Sequence, residues 1–345
     1  MDNQSWRRRD VLAALGAGAI TAALPPASFA AGAYKPRRID VHHHVLPPAY
    51  NKFVESGQSL FRSPLDISWW TLEGAIRDMD KAGIATSIVS WPELNGRMPG
   101  DFLAVVRECN EWCAGLARDY PGRFGSFATL PYPNVDACLA EIAYAYDTLK
   151  VDGMRSAPSY QGKYLGHADF RPILEELNRR KAVVFIHPTQ PACCGVIVPE
   201  APSATLEFPF DTTRCITDLL VSGSFAQFPD IKWIFSHGGG TLPMLAGRIA
   251  DNLRFNKRIG ARTPKGAMYE FKKLYVDTAS SYFPTSMAGM MALSGGSHIL
   301  FGTDDPYIRV AETDEGMRAL HLDPKLRAAI DRENALPLFP RLKKA

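Results

Sequence analysis

Eight short apolar runs recur along the chain, and between them lie longer segments in which apolar residues return every three or four positions. The short runs are typical of parallel strands buried on both faces, and the longer segments of amphipathic helices. This alternation predicts an α/β fold, either a closed (β/α)8 TIM barrel or an open doubly wound sheet. The predicted strands are 38–44, 85–91, 125–131, 151–157, 182–188, 231–237, 274–280 and 299–305, and the helices include 71–81, 102–118, 135–148, 170–180, 212–225 and 242–255.

Polar side chains at the ends of these strands decide between the two architectures. In a barrel the carboxyl ends of all strands surround one mouth, where active sites form, whereas in an open sheet they are spread along an edge. Only the barrel lets groups from so many strands converge. The polar residues concerned are His42, His44, Arg155, His187, His237, Thr278, Ser280 and Asp304.

The first strand carries the most specific local pattern. Its sequence ends in His42-His43-His44, and because side chains alternate along a strand, His42 and His44 share one face while His43 points the other way. Two imidazoles in this arrangement can hold one cation from the same side. With His187, His237 and Asp304 ending three further strands, the pattern predicts a metal-dependent active site.

These segments resemble the amidohydrolase superfamily. The similar motifs are His42-x-His44, Phe185-Ile186-His187-Pro188, Ser236-His237-Gly238-Gly239-Gly240 and Phe301-Gly302-Thr303-Asp304. They follow one another in the order found in the branch that contains 2-amino-3-carboxymuconate 6-semialdehyde decarboxylase, and the resemblance covers about residues 38–306. Segments 40–50, 159–166, 183–188 and 207–214 look most like 6-methylsalicylate decarboxylases.

The resemblance implies roles for the five residues. His42, His44, His187 and Asp304 become metal ligands, and His237 and Asp304 handle protons beside a metal-bound water. Three imidazoles and a carboxylate suit Zn²⁺; Mn²⁺ is the alternative, because these ligand types separate the two ions poorly. Two-metal relatives bridge their ions through a lysine or glutamate on the fourth strand, where this chain offers only Arg155, so we expect one metal.

The same resemblance implies non-oxidative decarboxylation of a small, hydroxybenzoate-like carboxylic acid. Arg155, Arg248, Trp70 and Trp91 are the candidate substrate-binding residues, and Arg248 would reach the active site of a second subunit in a homodimer. For the arginines a solvated or salt-bridged surface position is the alternative, and for the tryptophans ordinary packing.

Two other functions stay open at this point. A metal-dependent hydrolase of a lactone, amide or ester would use the same residues. A binding or structural protein could keep the fold without catalysis, but the intact set of five residues argues against it.

The first thirty residues have the layout of an export signal. Arg8-Arg9 and Val11-Leu12 precede a weakly hydrophobic Ala/Gly-rich stretch, and Ser28-Phe29-Ala30 is a candidate cleavage site. This is typical of a twin-arginine signal peptide. We therefore expect a signal peptide at 1–30, a single barrel domain at 31–345, and a periplasmic location.

Composition adds little beyond this. Hydrophobic residues make up 46% of the chain and charged residues 22%, which are ordinary values for a globular enzyme. The net charge of +3, without a basic run after the first ten residues, gives nucleic-acid binding no support. The six cysteines lack the spacing of zinc sites, and we expect mostly buried free thiols.

Overall fold

The computed structural model describes residues 37–344 except 57–65, 93–101, 192, 195–197 and 199. The proposed signal peptide lies outside the described residues. Eight parallel strands follow one another in chain order around one sheet. They are β1 (Arg38–His44), β2 (Ile84–Ser90), β3 (Phe124–Thr129), β4 (Gly153–Ser156), β5 (Val183–Ile186), β6 (Lys232–Phe235), β7 (Tyr275–Asp277) and β8 (Ile299–Leu300).

The sheet closes through the residues that follow β8. Val41 N–H donates to the carbonyl of Phe301 at 3.0 Å, and Asp304 N–H donates to the carbonyl of His42 at 2.7 Å. A parallel bridge between His43 and Asp305 completes the seam. The chain therefore forms the predicted TIM barrel rather than an open sheet.

Helices pack around the outside of the barrel. Their ends carry the expected signals: the Thr71 hydroxyl caps α2 by accepting from Gly74 N–H, and Gly83 ends that helix in the left-handed conformation. The helices are α1 (Pro48–Glu55), α2 (Leu72–Ala82), α3 (Phe102–Asp119), α4 (Val135–Tyr144), α5 (Arg171–Arg179), α6 (Glu207–Val221), α7 (Ser224–Gln227), α8 (Leu242–Leu253), α9 (Lys257–Arg262), α10 (Ala267–Phe271), α11 (Pro284–Ser294), α12 (Val310–Ala319) and α13 (Pro324–Ala328). Shorter turns span Ala145–Leu149, Ala168–Phe170, Ser236–Gly239, Ala329–Glu333 and Pro340–Lys344, and a small hairpin pairs Ser159–Tyr160 with Lys163–Tyr164.

Most elements match their predicted bounds within four residues, and two differ by five residues at one end. Helix α6 begins five residues earlier than expected, because Pro209 occupies its first turn, where the missing N–H has no intrahelical partner to lose. Strand β8 ends at Leu300 instead of 305. Beyond Leu300 the chain still bonds to β1 through Phe301 and Asp304, and Asp304 adopts a left-handed conformation, with φ of 67°, that regular strand residues do not have.

The barrel interior is filled by apolar side chains and sealed at its amino-terminal end. Phe127 stacks on Phe185, with ring centroids 5.3 Å apart, and also contacts Phe339. Phe339 belongs to a C-terminal segment, with Ala335, Leu338 and Leu342, that packs into the same cluster. Among the described residues, this C-terminal segment therefore covers the end of the barrel opposite the mouth.

The cysteines match the expectation only in part. Cys109, Cys113, Cys138 and Cys215 are buried thiols. Cys193 and Cys194, in the loop after β5, form a disulfide with each other, which the sequence analysis did not predict. Among the described residues, no helix has both the length and the hydropathy needed to cross a membrane.

Candidate metal centre and active site

Strand β1 places its three histidines as the alternation predicts. His42 and His44 both turn into the barrel mouth, where their Nε2 atoms lie 3.2 Å apart. His43 faces the other side, where Asp40 and Asp305 flank its ring at 3.2 and 3.5 Å. All three rings are buried. One face of β1 therefore carries the two candidate metal ligands, and the other face packs His43 between Asp40 and Asp305.

His187 and Asp304 bring their donor atoms to the position between His42 Nε2 and His44 Nε2, the metal point. Asp304 Oδ1 lies 3.0 Å from His42 Nε2, 3.1 Å from His44 Nε2 and 3.8 Å from His187 Nε2. The four donor atoms all lie within 4.8 Å of one another. The structure thus assembles the complete predicted ligand set from β1, β5 and the segment after β8.

Hydrogen bonds at Nδ1 orient the rings of His42 and His187 so that their Nε2 atoms face the metal point. His187 Nδ1 lies 2.8 Å from the Pro188 carbonyl and His42 Nδ1 lies 2.8 Å from Asp277 Oδ2. Because a carbonyl or carboxylate oxygen accepts, each Nδ1 carries a proton, and in the neutral ring that binds a metal the lone pair is then on Nε2. This is the tautomer that a metal ligand needs.

The electrostatics of the cluster also suit a cation. Burial lowers the pKa of His44 to about 4 and that of His187 well below its usual value, with the positive charge of Arg155 contributing to both shifts. These two rings are neutral at physiological pH. Burial also disfavours a charged His42, but the carboxylates of Asp304 and Asp277 outweigh it and raise the pKa of His42 to about 10. The carboxylates therefore demand a compensating positive charge.

Two donor atoms of the cluster are left without a hydrogen bond. Within the described part of the chain, buried His187 Nε2 has no hydrogen bond, and buried Asp304 Oδ1 has none of suitable geometry although His42 Nε2 and His44 Nε2 lie 3.0 and 3.1 Å away. Buried polar atoms without partners are uncommon and costly. Three imidazole nitrogens and one carboxylate oxygen around a shared point form a donor set of the type that holds one divalent metal ion, so the residues present fit the ion that the resemblance implies.

His237 lies on the other side of Asp304. Its Nε2 is 3.2 Å from Asp304 Oδ2, whereas the three ligand nitrogens lie around Oδ1. The residue has φ of 54° and ψ of 51°, a left-handed conformation that costs a non-glycine residue about 1–2 kcal/mol. Gly240, in the same turn, is required by packing, because a Cβ there would lie 2.2 Å from the Pro209 carbonyl oxygen. The turn therefore holds the His237 ring beside the Asp304 carboxylate and away from the metal point.

Arg155 lies at the mouth as predicted, and its guanidinium is almost fully buried. Two residues that the sequence analysis missed lie near it. The Tyr307 ring packs edge-on against His44, with centroids 5.4 Å apart, and Tyr50 is buried beside Arg155. Tyr307 follows Asp304 by three residues, a position in the last strand-to-helix loop that could have drawn attention to it.

The other three substrate-binding candidates, Trp91, Trp70 and Arg248, occupy different environments. Trp91 has no accessible surface, and its indole N–H donates to Asn110 Oδ1 at 3.1 Å. This position does not support the expected contact with substrate and favours the packing alternative. Trp70 is half-buried beside the same core cluster. Arg248 lies exposed on α8, and among the described residues it forms no salt bridge.

Asp277 was not singled out by the sequence analysis, although its neighbours Thr278 and Ser280 were. It ends β7, is fully buried, and contacts both His42 and His237. The available signal was an acidic residue at the carboxyl end of a barrel strand.

The sequence is similar to a known protein family and to individual decarboxylases. Residues 39–341 match the family profile described as amidohydrolase. A decarboxylase from Aspergillus niger is 36% identical over 326 residues, covering 88% of each chain. The 6-methylsalicylic acid decarboxylase of Penicillium expansum is 35% identical over 321 residues, covering 89% of this chain and 97% of that protein.

Solved structures share the fold. A crystal structure of a dihydroxybenzoic acid decarboxylase from Polaromonas, with bound manganese and 2-nitroresorcinol, superposes with a TM-score of 0.76. It covers 90% of this chain and 98% of that one at 21% sequence identity. At this identity the likeness speaks for the barrel alone.

Proposed function

The chain belongs to the amidohydrolase family, and on that premise we propose that it is a metal-dependent, non-oxidative decarboxylase of a small aromatic acid of the hydroxybenzoate type. The observation that carries the proposal is the buried cluster of His42, His44, His187 and Asp304 with His237 beside it. The relatives that are 35–36% identical over most of both chains are decarboxylases, and one acts on 6-methylsalicylic acid.

One divalent ion held by the four ligands would act as a Lewis acid toward the substrate's oxygen atoms. The chain itself must move one proton. His237 Nε2 and Asp304 Oδ2, 3.2 Å apart, form the pair that delivers it to the ring carbon bearing the carboxylate. The bond from that carbon to the carboxylate then breaks, its electron pair returns to the ring, and CO₂ leaves. The pair regains a proton from solvent.

Arg155 supplies the positive charge that a carboxylated substrate needs. Its guanidinium is buried, and its charge contributes to the lowered pKa values of His44 and His187, so it lies within electrostatic range of the metal point. A guanidinium in such a site binds carboxylates through paired hydrogen bonds. We expect Arg155→Lys to raise KM more than it lowers kcat.

Zn²⁺ is the ion that we propose, since three imidazoles and one carboxylate suit it. Mn²⁺ is the competing choice, because the similar Polaromonas structure contains manganese. Elemental analysis of protein purified without added metal identifies the ion. About one equivalent is expected, and a content near two equivalents would refute the mononuclear site.

The reaction is tested with a panel of hydroxybenzoates followed by CO₂ release, alongside a panel of lactones followed by acid production. Release of CO₂ from at least one hydroxybenzoate is expected. Hydrolysis of a lactone without CO₂ release from any benzoate would instead assign the hydrolase function. His237→Ala should keep the metal and lose turnover. His298→Ala is the matched control, because His298 precedes β8 at the opposite end of the barrel.

We also propose that the protein is a homodimer joined through α8. Met244 is 85% exposed and Phe255, just beyond the end of α8, is 76% exposed. Arg248 follows Met244 by four residues and therefore shares its face of the helix. A monomer that exposes large apolar side chains around an arginine has a surface suited to a second copy. Arg248 would then contact the substrate of the neighbouring subunit.

Subunit mixing tests this arrangement directly. Arg248→Ala and His237→Ala homodimers should both be nearly inactive. A mixed dimer places an intact His237 opposite an intact Arg248 in one of its sites, so mixing after dissociation should restore activity. No recovery, or a monomeric mass in light scattering, would contradict the shared site.

Export is proposed on the sequence of residues 1–30 alone. In a host with a twin-arginine system, the mature protein should appear in the periplasm with its N-terminus near Ala31. Replacing Arg8 and Arg9 by lysine should retain the precursor inside the cell. Export that is unaffected by this change would contradict the assignment of the signal.

A further inference from the structure

Asp277 lies behind the metal point, at the end of β7, and has no accessible surface. Its two carboxylate oxygens have separate partners. Oδ2 is 2.8 Å from His42 Nδ1, and Oδ1 accepts the N–H groups of His237 at 2.8 Å and Ala279 at 3.1 Å. One side chain therefore contacts a proposed metal ligand and the proposed proton-transfer residue.

The contact with His42 crosses an intervening strand. Strand β8 and its extension lie between β7 and β1, and the residue at the crossing point is Gly302. A Cβ at Gly302 would lie 2.9 Å from His42 Cβ and 3.0 Å from Asp277 Cβ. The glycine leaves the space through which the carboxylate reaches the imidazole.

This contact selects the tautomer of His42. A neutral imidazole has one N–H and one lone pair, so a carboxylate at Nδ1 puts the proton there. The lone pair is then on Nε2, which is 3.0 Å from Asp304 Oδ1 and 3.2 Å from His44 Nε2. The other tautomer would point an N–H at the metal point and exclude the cation.

The second oxygen acts on the backbone of His237. That residue is left-handed, a conformation that a non-glycine residue adopts only when its surroundings hold it there. The hydrogen bond from its N–H to Asp277 is one of the contacts that hold it. Because the ring direction follows from the backbone, this bond keeps Nε2 within 3.2 Å of Asp304 Oδ2.

We propose that Asp277 is a positioning residue that fixes the His42 tautomer through one oxygen and the His237 backbone through the other, and so couples metal binding to proton transfer. The inference rests on the proposed metal site but not on the identity of the substrate.

Asp277→Asn is the informative substitution, because an amide keeps the shape and has only one acceptor. If its oxygen accepts from His237, its NH₂ group faces His42 Nδ1 and favours the wrong tautomer; the opposite rotamer loses the His237 bond. Competition with a chromogenic chelator for Zn²⁺ should show roughly 10–100-fold weaker binding, the range seen when such outer carboxylates are removed. Affinity within twofold of the wild type would overturn the proposal.

Asp152→Asn is the matched control. Asp152 also accepts a buried barrel N–H, from Ser126 at 3.0 Å, and pairs with Arg341, but it precedes β4 at the far end of the barrel. It should lose thermal stability without changing the Zn²⁺ affinity. Equal losses of affinity in both variants would show that Asp277 acts only through general stability, and would refute the positioning role.

A spectroscopic measurement on the wild type does not depend on how the variant folds. In the Zn²⁺-loaded protein labelled with ¹⁵N-histidine, His42 should carry its proton on Nδ1 and bind metal through Nε2. A proton on Nε2 of His42 would overturn the proposal. Both this result and the metal affinity can be read even if no benzoate is a substrate, so a wrong reaction is distinguishable from a wrong role for Asp277.

The His237 half of the proposal has its own readout. At saturating metal, Asp277→Asn should lower kcat at least tenfold and leave KM unchanged, since the substrate-binding groups are untouched. Full kcat at saturating metal would show that Asp277 does not act through His237.

Discussion

Gly302→Ala tests how closely the metal ligands depend on barrel packing. The new Cβ would lie 2.9 Å from His42 Cβ, 3.0 Å from Asp277 Cβ and 3.2 Å from Asp277 Cγ. Two of these three atoms are Cβ atoms fixed to the backbone of β1 and β7, so rotamer changes cannot relieve the contacts. The strands themselves must move apart, which lengthens the hydrogen bond from His42 Nδ1 to Asp277.

The expected magnitude follows from this geometry. Overpacking of a well-filled interior costs about 1–3 kcal/mol. The entropy of unfolding is about 2.1 cal/mol/K per residue, which for the roughly 310 residues of the barrel is about 0.65 kcal/mol per degree. Tm of the metal-free protein should therefore fall by roughly 1.5–5 °C. Excess metal at 100 times Kd adds about 2.7 kcal/mol to a protein that binds it only when folded. A tenfold weaker site would lose about 1.4 kcal/mol of that gain.

Thermal unfolding with and without Zn²⁺ measures both effects. The matched control is Gly115→Ala in α3, where the added Cβ would meet only the Arg118 guanidinium at 3.5 Å. Because glycine weakens a helix interior, this control should gain about 0.5–1 kcal/mol. A Gly302→Ala protein that melts within about 1 °C of the wild type, less than the smallest shift expected, and gains as much from Zn²⁺ would refute the packing argument.

Three further predictions follow from the same contacts. Asp304→Asn removes the charge at the centre of the cluster, and the purified protein should contain far less than one equivalent of metal; near-stoichiometric metal would show that the carboxylate is dispensable. Trp91→Phe should lose about 0.5–1.5 kcal/mol of stability, because Asn110 Oδ1 loses its indole donor but still accepts from Thr129 N–H, while KM stays unchanged; a large rise in KM would restore the substrate-binding role. After mild reduction of the native protein, mass spectrometry should find alkylation only at Cys193 and Cys194, since the other four cysteines are buried; labelling of a fifth cysteine would contradict that burial.

Local sequence determined the positions of the strands and the directions of the candidate ligand side chains. The period-two alternation of β1 placed His42 and His44 on one face, and apolar runs followed by polar residues marked the strand ends where His187, His237 and Asp304 lie. These signals are local because side-chain direction along a strand depends only on position within it. The barrel and its mouth follow from eight such strands, and the structure has both.

Only the tertiary structure decided which neighbours these residues have. Asp277 reaches His42 across a third strand at Gly302, and Trp91 turns into the core toward Asn110 instead of the mouth. Both outcomes depend on strand order, register and close packing between residues far apart in sequence. No periodicity within one strand encodes such contacts, because they arise when separate strands are brought to within a few ångströms of each other.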